Sequence, residues 1–395
     1  MESKESVLNN YKQYVLPTYG REGLTFVRGE GSYLYDIDAN RYLDLYPGWG
    51  TACLGHCHPY VVEQVTDQIK TLIHVPNNYY NPWQAQLAAR LAKAGFGGYT
   101  FFSNSGAEAN EAAIKLARRF GNQTGRYEIV TFYKSFHGRT LATVTATGQE
   151  KYQQGFEPLP EGFKYAHFGD MESVQEALTP KTCAVMIEVI QGEGGINIAE
   201  DNFYRQLESL CKQHNLLLIV DEVQTGIGRT GKYFGYQSFG ISPHVVTLAK
   251  ALGGGFPIGA MMAKPELKDM LPPGTHASTY GGNPVVCRAA LAVLDVLENE
   301  HILDNVKKQS GYILTRLEQI GKSTGCIKRV RCRGLMVGVD ISVKALSVKQ
   351  YCAKKRVLIN NIGEYTIRFL PALNITTDEL ETGLAVFEEA LRQEG

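Results

Sequence analysis

The sequence predicts an α/β protein with a mostly parallel central sheet in a large domain, followed by a smaller α+β domain. Short apolar runs that end in polar or glycine residues alternate with longer amphipathic segments. The runs are apolar on both faces, which is typical of parallel strands that helices cover on both sides. A hydrophobic content of 44% and a charged content of 20% are ordinary for a globular chain of 395 residues.

The elements of the large domain follow from these patterns in chain order. Residues 32–46 read as a hairpin with a polar Asp-Ala-Asn turn. Residues 107–120 and 201–214 have the apolar spacing of amphipathic helices. Because ligands bind beyond the carboxyl ends of parallel strands, we expect the functional residues there. The predicted buried strands are 99–104, 127–133, 183–189, 216–223, 244–249 and 258–263.

The pattern changes from about residue 284. We predict an N-terminal segment, 1–55, that packs with the small domain, a large domain at 56–275 and a small α+β domain at 276–395. The predicted elements of the small domain are helices at 284–300 and 301–321, a strand-rich stretch at 327–341, a helix, a strand at 365–371 and a last helix from about 377.

Charge and hydropathy exclude several classes of protein. Lys and Arg together number 40, as do Asp and Glu, so no electrostatic argument favours nucleic acid or an anionic membrane. No apolar run approaches the roughly 20 residues that span a bilayer. The N-terminal stretch is polar and lacks the apolar core of a secretory signal. We therefore expect a cytoplasmic protein, with neither nucleic acid nor membrane as a partner.

One cluster, CLGHCHP, places Cys53, His56, Cys57 and His58 within six residues. A zinc site would need a second ligand pair, and the candidates, Cys326 and Cys332, have an unusual spacing. We therefore predict no metal site. The eight cysteines suit reduced thiols in a large cytosolic chain.

The stretch SNSGAEANEAAIKLARR joins a strand to a helix. Ser105 and Gly106 open that helix, where free backbone amides, a hydroxyl and a glycine make an anion site. The alternative is an ordinary serine N-cap with Glu108 completing a capping box. It is not a Walker A loop, because no Gly-Lys-Ser/Thr follows the glycine.

Two further residues lie at predicted strand ends. Asp221 follows a run of apolar residues, and a buried aspartate there can hold a proton on a ring nitrogen. It can equally cap a helix or pair with a cation. Lys250 ends the next strand, in VVTLAKALGGGFPIGA, where desolvation would lower its pKa and make the amine nucleophilic. An anion site, an aspartate and a lysine on one sheet edge match the phosphate, ring nitrogen and aldehyde of pyridoxal phosphate.

These residues belong to longer motifs. DEVQTG with GRTG, then AKALGGGFPIGA, resembles the signature of class III pyridoxal-phosphate aminotransferases of fold type I. SNSGAEANEAAIKLAR, SFHGRT, QGEGG, STYGGNP and IRFLPAL extend the resemblance over nearly the whole chain. Within the class, it is closest to the acetylornithine aminotransferases.

The resemblance implies a role for each matching residue. Lys250 would be the covalent anchor of the cofactor and the general acid and base, and Asp221 would bond the pyridine nitrogen. Gln224 would contact the ring hydroxyl, with Val223 behind the ring and Phe136 stacked on its other face. Taken alone, Phe136 reads as a core aromatic residue. The phosphate would be held by Ser105, Gly106, Ala107 and, from a neighbouring subunit, Thr279. The last residue implies a homodimer with shared active sites.

Three charged residues would bind substrate in the resembling family. Arg139 would hold the distal carboxylate of the substrate, and Arg368 would hold the α-carboxylate of glutamate. Glu193 would pair with Arg368 when the donor has no carboxylate at the reacting carbon. The alternative is a surface ion pair and an unrelated loop charge.

The segment DLYPGWG departs from the acetylornithine pattern at Tyr46, Pro47 and Trp49. Ornithine δ-aminotransferases carry an aromatic residue near the position of Trp49. This resemblance would place Trp49 beside the substrate. We expect transamination of N-acetylornithine with 2-oxoglutarate in arginine biosynthesis. The alternatives are ornithine, succinylornithine, 4-aminobutyrate or a lysine derivative as donor, a related aminomutase, or a non-catalytic pyridoxal-phosphate-binding regulator.

Overall fold

The computed structural model describes residues 3–395; residues 1 and 2, part of the predicted N-terminal segment, lie outside this range. The described chain contains three β-sheets, of four, seven and four strands. Its strands are β1 Phe26–Glu30, β2 Tyr33–Asp36, β3 Arg41–Asp44, β4 Tyr99–Ser103, β5 Glu128–Phe132, β6 Phe163–Ala166, β7 Thr182–Ile187, β8 Leu217–Asp221, β9 Val245–Leu248, β10 Gly259–Ala263, β11 Ile327–Arg333, β12 Met336–Ile341, β13 Val357–Leu358, β14 Asn360–Ile362 and β15 Thr366–Phe369.

The α-helices surround these sheets and connect their strands. They are α1 Lys4–Tyr14, α2 Pro59–Thr71, α3 Pro82–Ala94, α4 Gly106–Asn122, α5 Leu141–Ala146, α6 Glu150–Gln153, α7 Met171–Ala177, α8 Asp201–Gln213, α9 Pro284–Asn299, α10 Ile302–Thr324, α11 Ala345–Lys354 and α12 Thr377–Glu394. Among residues 3–395, no helix combines the length and apolar character that crossing a bilayer requires.

The seven-stranded sheet has the order β4-β10-β9-β8-β7-β5-β6. Every pairing in it is parallel except the two that β10 makes with β4 and β9. The expected mostly parallel sheet is therefore present, with β6 as an edge strand that the sequence pattern did not predict. The carboxyl ends of β4, β7, β8 and β9 consequently meet at one edge.

Strand β8 shows why its sequence is apolar throughout. Leu218 and Val220 belong to a buried cluster that includes residues of helix α8. Leu217 and Ile219 face a second buried cluster formed with helix α4. Both faces of the sheet are thus covered, as a parallel sheet requires.

The N-terminal hairpin and the C-terminal region share a sheet. Strands β2 and β3 pair antiparallel, and Asp36 Oδ1 accepts hydrogen bonds from the backbone N–H of Asp38 and Asn40 in the predicted turn. Strand β13 pairs parallel with β3. This pairing supports our proposal that 1–55 packs with a small domain at 276–395, beside a large domain at 56–275.

Candidate active site

A cavity of about 420 Å³ lies at the carboxyl edge of the seven-stranded sheet. It is lined from the ends of β4, β8 and β9 and from loops after β5 and β7. Ten of the predicted site residues line it: Ser105, Gly106, Ala107, Phe136, Arg139, Glu193, Asp221, Val223, Gln224 and Lys250. The sheet therefore collects residues that are far apart in sequence, because parallel strands end on the same side.

One wall of the cavity is the N-terminus of helix α4. The Ser105 Oγ accepts a hydrogen bond from the Glu108 N–H at 3.2 Å, so the serine is the N-cap of this helix. The Glu108 Oε2 accepts from the Asn104 N–H at 2.6 Å, one residue before the cap. The serine N-cap of the alternative is thus present, although Glu108 bonds Asn104 rather than completing a capping box with the Ser105 N–H, and the first-turn amides of Gly106 and Ala107 remain at the cavity wall.

Gly106 also meets a steric requirement. A Cβ atom at this position would lie 2.9 Å from both methyl carbons of Val223. The absence of a side chain therefore lets the helix N-terminus and the β8 end approach closely across the cavity floor.

Asp221 lies at the end of β8 and is 4% exposed. Its Oδ2 accepts from Asn110 Nδ2 at 2.7 Å and lies 2.8 Å from His137 Nδ1. Its Oδ1 accepts from the Val223 N–H at 3.0 Å. A carboxylate has about four lone-pair positions, so Oδ1 can still accept a proton donor from a ligand in the cavity.

His137 is fully buried behind Asp221. Burial alone would lower the pKa of His137, but the bond to Asp221 outweighs burial and raises it. Its Nε2 has no hydrogen-bond partner among residues 3–395. His137 therefore holds the Asp221 carboxylate at Oδ2 and leaves Oδ1 towards the cavity free.

Lys250 enters the cavity from the end of β9. Within the described part of the chain, no hydrogen bond or salt bridge of the Lys250 amine is present. Burial lowers the pKa of Lys250, although Glu193 partly opposes this effect. An amine that is desolvated and unpaired is poised to act as a nucleophile or base.

Arg368 lies on β15 and is 1% exposed; it does not line the cavity itself but contacts Glu193, which does. Its Nη1 donates to Glu193 Oε1 at 2.5 Å and to the Gly192 carbonyl at 3.3 Å. Its Nε donates to Asn360 Oδ1 at 3.0 Å. Burial alone would raise the pKa of Glu193, but the charge of Arg368 and the hydrogen bond with it outweigh burial and lower the pKa below its usual value.

Arg139 lines the cavity from the loop before α5 and is exposed. Its guanidinium carbon lies over the rings of Tyr152 and Phe136, 4.1 and 5.5 Å from their centroids. Neither a salt bridge nor a hydrogen bond engages its N–H groups in the part of the chain that the structure describes. Its donors are thus free to bind a carboxylate.

Besides Arg368, two predicted residues do not line the cavity of a single chain. Thr279 is exposed, on the loop between β10 and α9. Trp49 is 49% exposed, and its ring packs edge-on against Tyr46 at 6.3 Å. Tyr46 is partly buried, and burial raises the pKa of its hydroxyl to about 12.

Sequence reasoning missed several residues of the site. Asn110 and His137 were inside quoted motifs, SNSGAEANEAAIKLARR and SFHGRT, but nothing in their spacing shows that both contact Asp221. Glu188 lines the cavity and accepts from the N–H groups of Phe136 and Gly192 at 2.9 and 3.2 Å. Burial raises the pKa of this carboxyl to about 7. Its position at a strand end was the one available signal.

The cluster of Cys53, His56, Cys57 and His58 does not converge. Cys53 is buried and donates to the Ala251 carbonyl at 3.2 Å, whereas Cys57 is exposed. His56 Nε2 lies 2.9 Å from Asp44, and His58 Nε2 lies 3.4 Å from Glu300. These side chains therefore have separate partners.

The cavity has the groups that pyridoxal phosphate requires. The amides at the α4 N-terminus suit its phosphate, and the free lone pairs of Asp221 Oδ1 suit a protonated ring nitrogen. The unpaired Lys250 amine suits its aldehyde. The residues present thus fit this cofactor.

Comparisons with known proteins agree with the geometry. A family model described as aminotransferase class-III matches residues 17–391. The acetylornithine aminotransferase of Caldanaerobacter subterraneus subsp. tengcongensis is 46% identical over 386 residues, which cover 97% of this chain and 98% of that protein.

Two solved structures are similar over almost the whole chain. The ornithine aminotransferase from Toxoplasma gondii, with partial occupancy of PLP at its active site, has a TM-score of 0.95 and 28% identity, covering 100% of this chain and 96% of that chain. The N-acetylornithine aminotransferase from Stenotrophomonas maltophilia K279a has a TM-score of 0.83 and 35% identity, covering 95% and 97%.

Proposed function

The chain belongs to the class-III aminotransferases, and on that premise we propose that it transfers the terminal amino group of N-acetyl-L-ornithine to 2-oxoglutarate. The products are N-acetyl-L-glutamate 5-semialdehyde and L-glutamate, in arginine biosynthesis. The predicted family, the fold type I architecture and pyridoxal 5'-phosphate as cofactor are confirmed by the family match and the structural neighbours.

Bound pyridoxal phosphate supplies an electron-withdrawing ring that stabilises negative charge at the amine-bearing carbon of the substrate. Lys250 Nζ would take the proton from that carbon as general base and hold it as general acid. Burial lowers the pKa of Lys250 and so favours the unprotonated amine, the form that can accept a proton. Asp221 would hold a proton on the ring nitrogen, with Asn110 and His137 fixing the carboxylate.

The observation that carries this proposal is the pair formed by Glu193 and Arg368 beside Lys250. While paired, Arg368 has no charge to offer at the reacting carbon, which suits a terminal amine that carries no carboxylate there. Glutamate does carry one, and it would displace Glu193 from the guanidinium. Arg139 would bind the distal carboxylate in both half-reactions, because its donors are free.

Ornithine is the second candidate donor, because Trp49 and Tyr46 form an aromatic pair near the site and the solved ornithine aminotransferase is similar in fold. The test compares kcat/KM for N-acetylornithine, ornithine and 4-aminobutyrate with 2-oxoglutarate as acceptor. We expect N-acetylornithine to be preferred. A preference for free ornithine would replace our choice of donor while leaving the family unchanged.

A non-catalytic regulator would bind the cofactor without turning over an amine. Glutamate should bleach the visible absorption band of the purified holoprotein as the cofactor is converted to its amine form. A band that glutamate leaves unchanged would contradict transamination.

We also propose a homodimer with shared active sites. Thr279, expected at the phosphate, is exposed and outside the cavity of its own chain. Three nearby tyrosines are strongly exposed: Tyr79, Tyr80 and Tyr280, at 68%, 104% and 63%. Such an aromatic surface is typical of a protein interface.

Mixed dimers test this arrangement. Lys250→Ala and Thr279→Ala chains are each impaired as homodimers, the first in catalysis and the second in cofactor affinity. A mixed dimer would contain one site with Lys250 from one chain and Thr279 from the other. We expect that site to regain wild-type cofactor affinity and activity; mixed dimers that gain neither would contradict the shared site.

We place the enzyme in the cytoplasm. Its eight cysteines are all free thiols, and six of them are buried, which suits a reducing compartment. Cell fractionation followed by immunoblotting tests this location.

A further inference from the structure

We propose that Tyr152 is a positioning residue for substrate recognition, because its ring holds Arg139 with the guanidinium N–H groups free for the distal carboxylate. The inference rests on the proposed role of Arg139 in both half-reactions. It deepens the proposed function by assigning carboxylate selectivity to a residue that does not itself contact substrate.

The contact with the Tyr152 ring holds Arg139 in place without a counterion, although Arg139 is exposed. The Arg139 guanidinium carbon lies 4.1 Å from the centroid of Tyr152, well within the range of a cation–π contact. The face of a ring uses none of the in-plane N–H directions that bind a carboxylate. A carboxylate partner at this place would instead occupy those donors and compete with substrate, as Glu193 does at Arg368.

The Tyr152 ring is itself fixed by the short helix α6. The neighbouring Gln153 donates from Nε2 to the Val144, Thr145 and Thr147 carbonyls, at 3.3, 3.2 and 2.8 Å. The same nitrogen lies 3.1 Å from the Tyr165 hydroxyl. These bonds attach α6 to the end of α5, so the backbone that carries the ring is anchored at the neighbouring residue.

Tyr152 also contacts the cavity wall. Its ring packs edge-on against Phe136, with the centroids 5.7 Å apart and the planes at 82°. Phe136 lines the cavity, and its N–H donates to Glu188. The ring therefore sets the position of Arg139 relative to the cavity that holds the reacting amine.

A second cation provides a control. Lys151 Nζ lies 4.6 Å from the centroid of Tyr152, so removing it changes the charge beside the ring but leaves the ring in place. Lys151→Met therefore separates an effect of local charge from an effect of the aromatic face.

The experiment measures half-reaction kinetics of the holoenzyme for Tyr152→Leu, Tyr152→Phe and Lys151→Met. We expect Tyr152→Leu to raise KM for both N-acetylornithine and glutamate by about three- to thirtyfold, the range of a cation–π contact, with little change in kcat. Tyr152→Phe keeps the ring and should stay within about twofold of wild type, since a phenyl face also attracts cations.

A donor without the distal carboxylate supplies the decisive comparison. N-acetyl-1,4-diaminobutane is N-acetylornithine with hydrogen in place of that carboxylate, so its rate should be unaffected by Tyr152→Leu. An equal loss for this donor, or a loss in Tyr152→Phe as large as in Tyr152→Leu, would overturn the proposal. In an Arg139→Ala background, Tyr152→Leu should cause no further loss.

Binding of glutarate, a dicarboxylate without an amino group, gives a readout that needs no turnover. Its dissociation constant, measured by calorimetry, should rise in Tyr152→Leu by the same factor as KM. If Tyr152→Leu fails to fold, Tyr152→Met supplies an apolar side chain of similar length without a ring. If wild type rejects N-acetylornithine but accepts glutamate, the proposed donor fails while the glutamate and glutarate measurements still decide the role of Tyr152.

Discussion

The two arginines proposed to bind substrate carboxylates, Arg139 and Arg368, have opposite environments. Arg368 is 1% exposed on β15 and donates to a carboxylate, a carbonyl and an amide oxygen. Arg139 is exposed on a loop and contacts the faces of aromatic rings. The Arg368 guanidinium is bonded through Nε and Nη1, whereas within residues 3–395 the N–H groups of Arg139 are all free.

This difference follows from the burial of each arginine and agrees with the role proposed for each. A buried guanidinium needs acceptors, because an unpaired charge away from water is costly. Glu193 supplies carboxylate acceptors for Arg368. On our proposal, a substrate carboxylate can bind Arg368 only after it displaces Glu193. An exposed guanidinium needs no counterion, so Arg139 can be held by rings and remain available in both half-reactions.

The largest expected effect tests whether Arg139 binds both substrates, in contrast to Arg368, which would bind only glutamate. Arg139→Ala should lower kcat/KM for N-acetylornithine and glutamate alike, each by about 100-fold, since both lose a charge-assisted contact. Stopped-flow measurement of each half-reaction checks this. If either substrate were spared, Arg139 would not serve both.

Arg368→Ala should affect a single half-reaction. We expect glutamate to lose about 100-fold in kcat/KM, because its α-carboxylate loses its partner, and N-acetylornithine to change by less than about fivefold. The same stopped-flow measurements apply. Equal losses for the two substrates would contradict the exchange of Arg368 between Glu193 and glutamate.

Glu193→Gln should act in the opposite direction and more weakly. Glutamate no longer has to displace a carboxylate, so its KM should fall, by an amount on the order of tenfold. The KM for N-acetylornithine should not fall, because that donor leaves the pair intact. A rise in KM for glutamate would mean that Glu193 assists the α-carboxylate rather than competing with it.

The smallest effect is on stability as a function of pH. The folded-state pKa of Glu193 lies below its ordinary 4.5, so the stabilisation by its charge is complete above that value and is lost as pH falls through the lowered pKa. The free-energy deficit of Glu193→Gln at pH 7 should therefore shrink in acid. Urea unfolding over pH checks this, with Arg139→Gln as the matched control that keeps the acid dependence of wild type.

Much of the central sheet was predictable because its strands are short, apolar and buried on both faces. Strands β4, β5, β8, β9 and β10 lie within predicted segments, and β7 begins one residue before its predicted segment, 183–189. Strand β6 was missed because Phe163–Ala166 is a half-exposed edge strand without a continuous apolar run. The two-residue strand β13 was missed because such a short pairing has no pattern of its own.

The predicted site residues at strand ends were the easier ones to find. Asp221 ends β8, and Lys250 follows β9 by one intervening residue, so their convergence follows from adjacent parallel strands. Tyr152 and Glu188 could not be assigned in the same way. Their importance lies in contacts with Arg139 and with the backbone of Phe136 and Gly192, which no spacing in the sequence records.

The sequence by itself determined the fold class, the family resemblance, and that Asp221 and Lys250 come at strand ends, because local periodicity fixes where such side chains emerge. Only the tertiary structure decided that Glu193 meets Arg368 across 175 residues of chain and that Arg139 rests on Tyr152. It also placed Thr279 outside the cavity of its own chain. Such contacts depend on how the loops and the sheet that contains β15 pack against the seven-stranded sheet. That packing is a property of the whole folded chain.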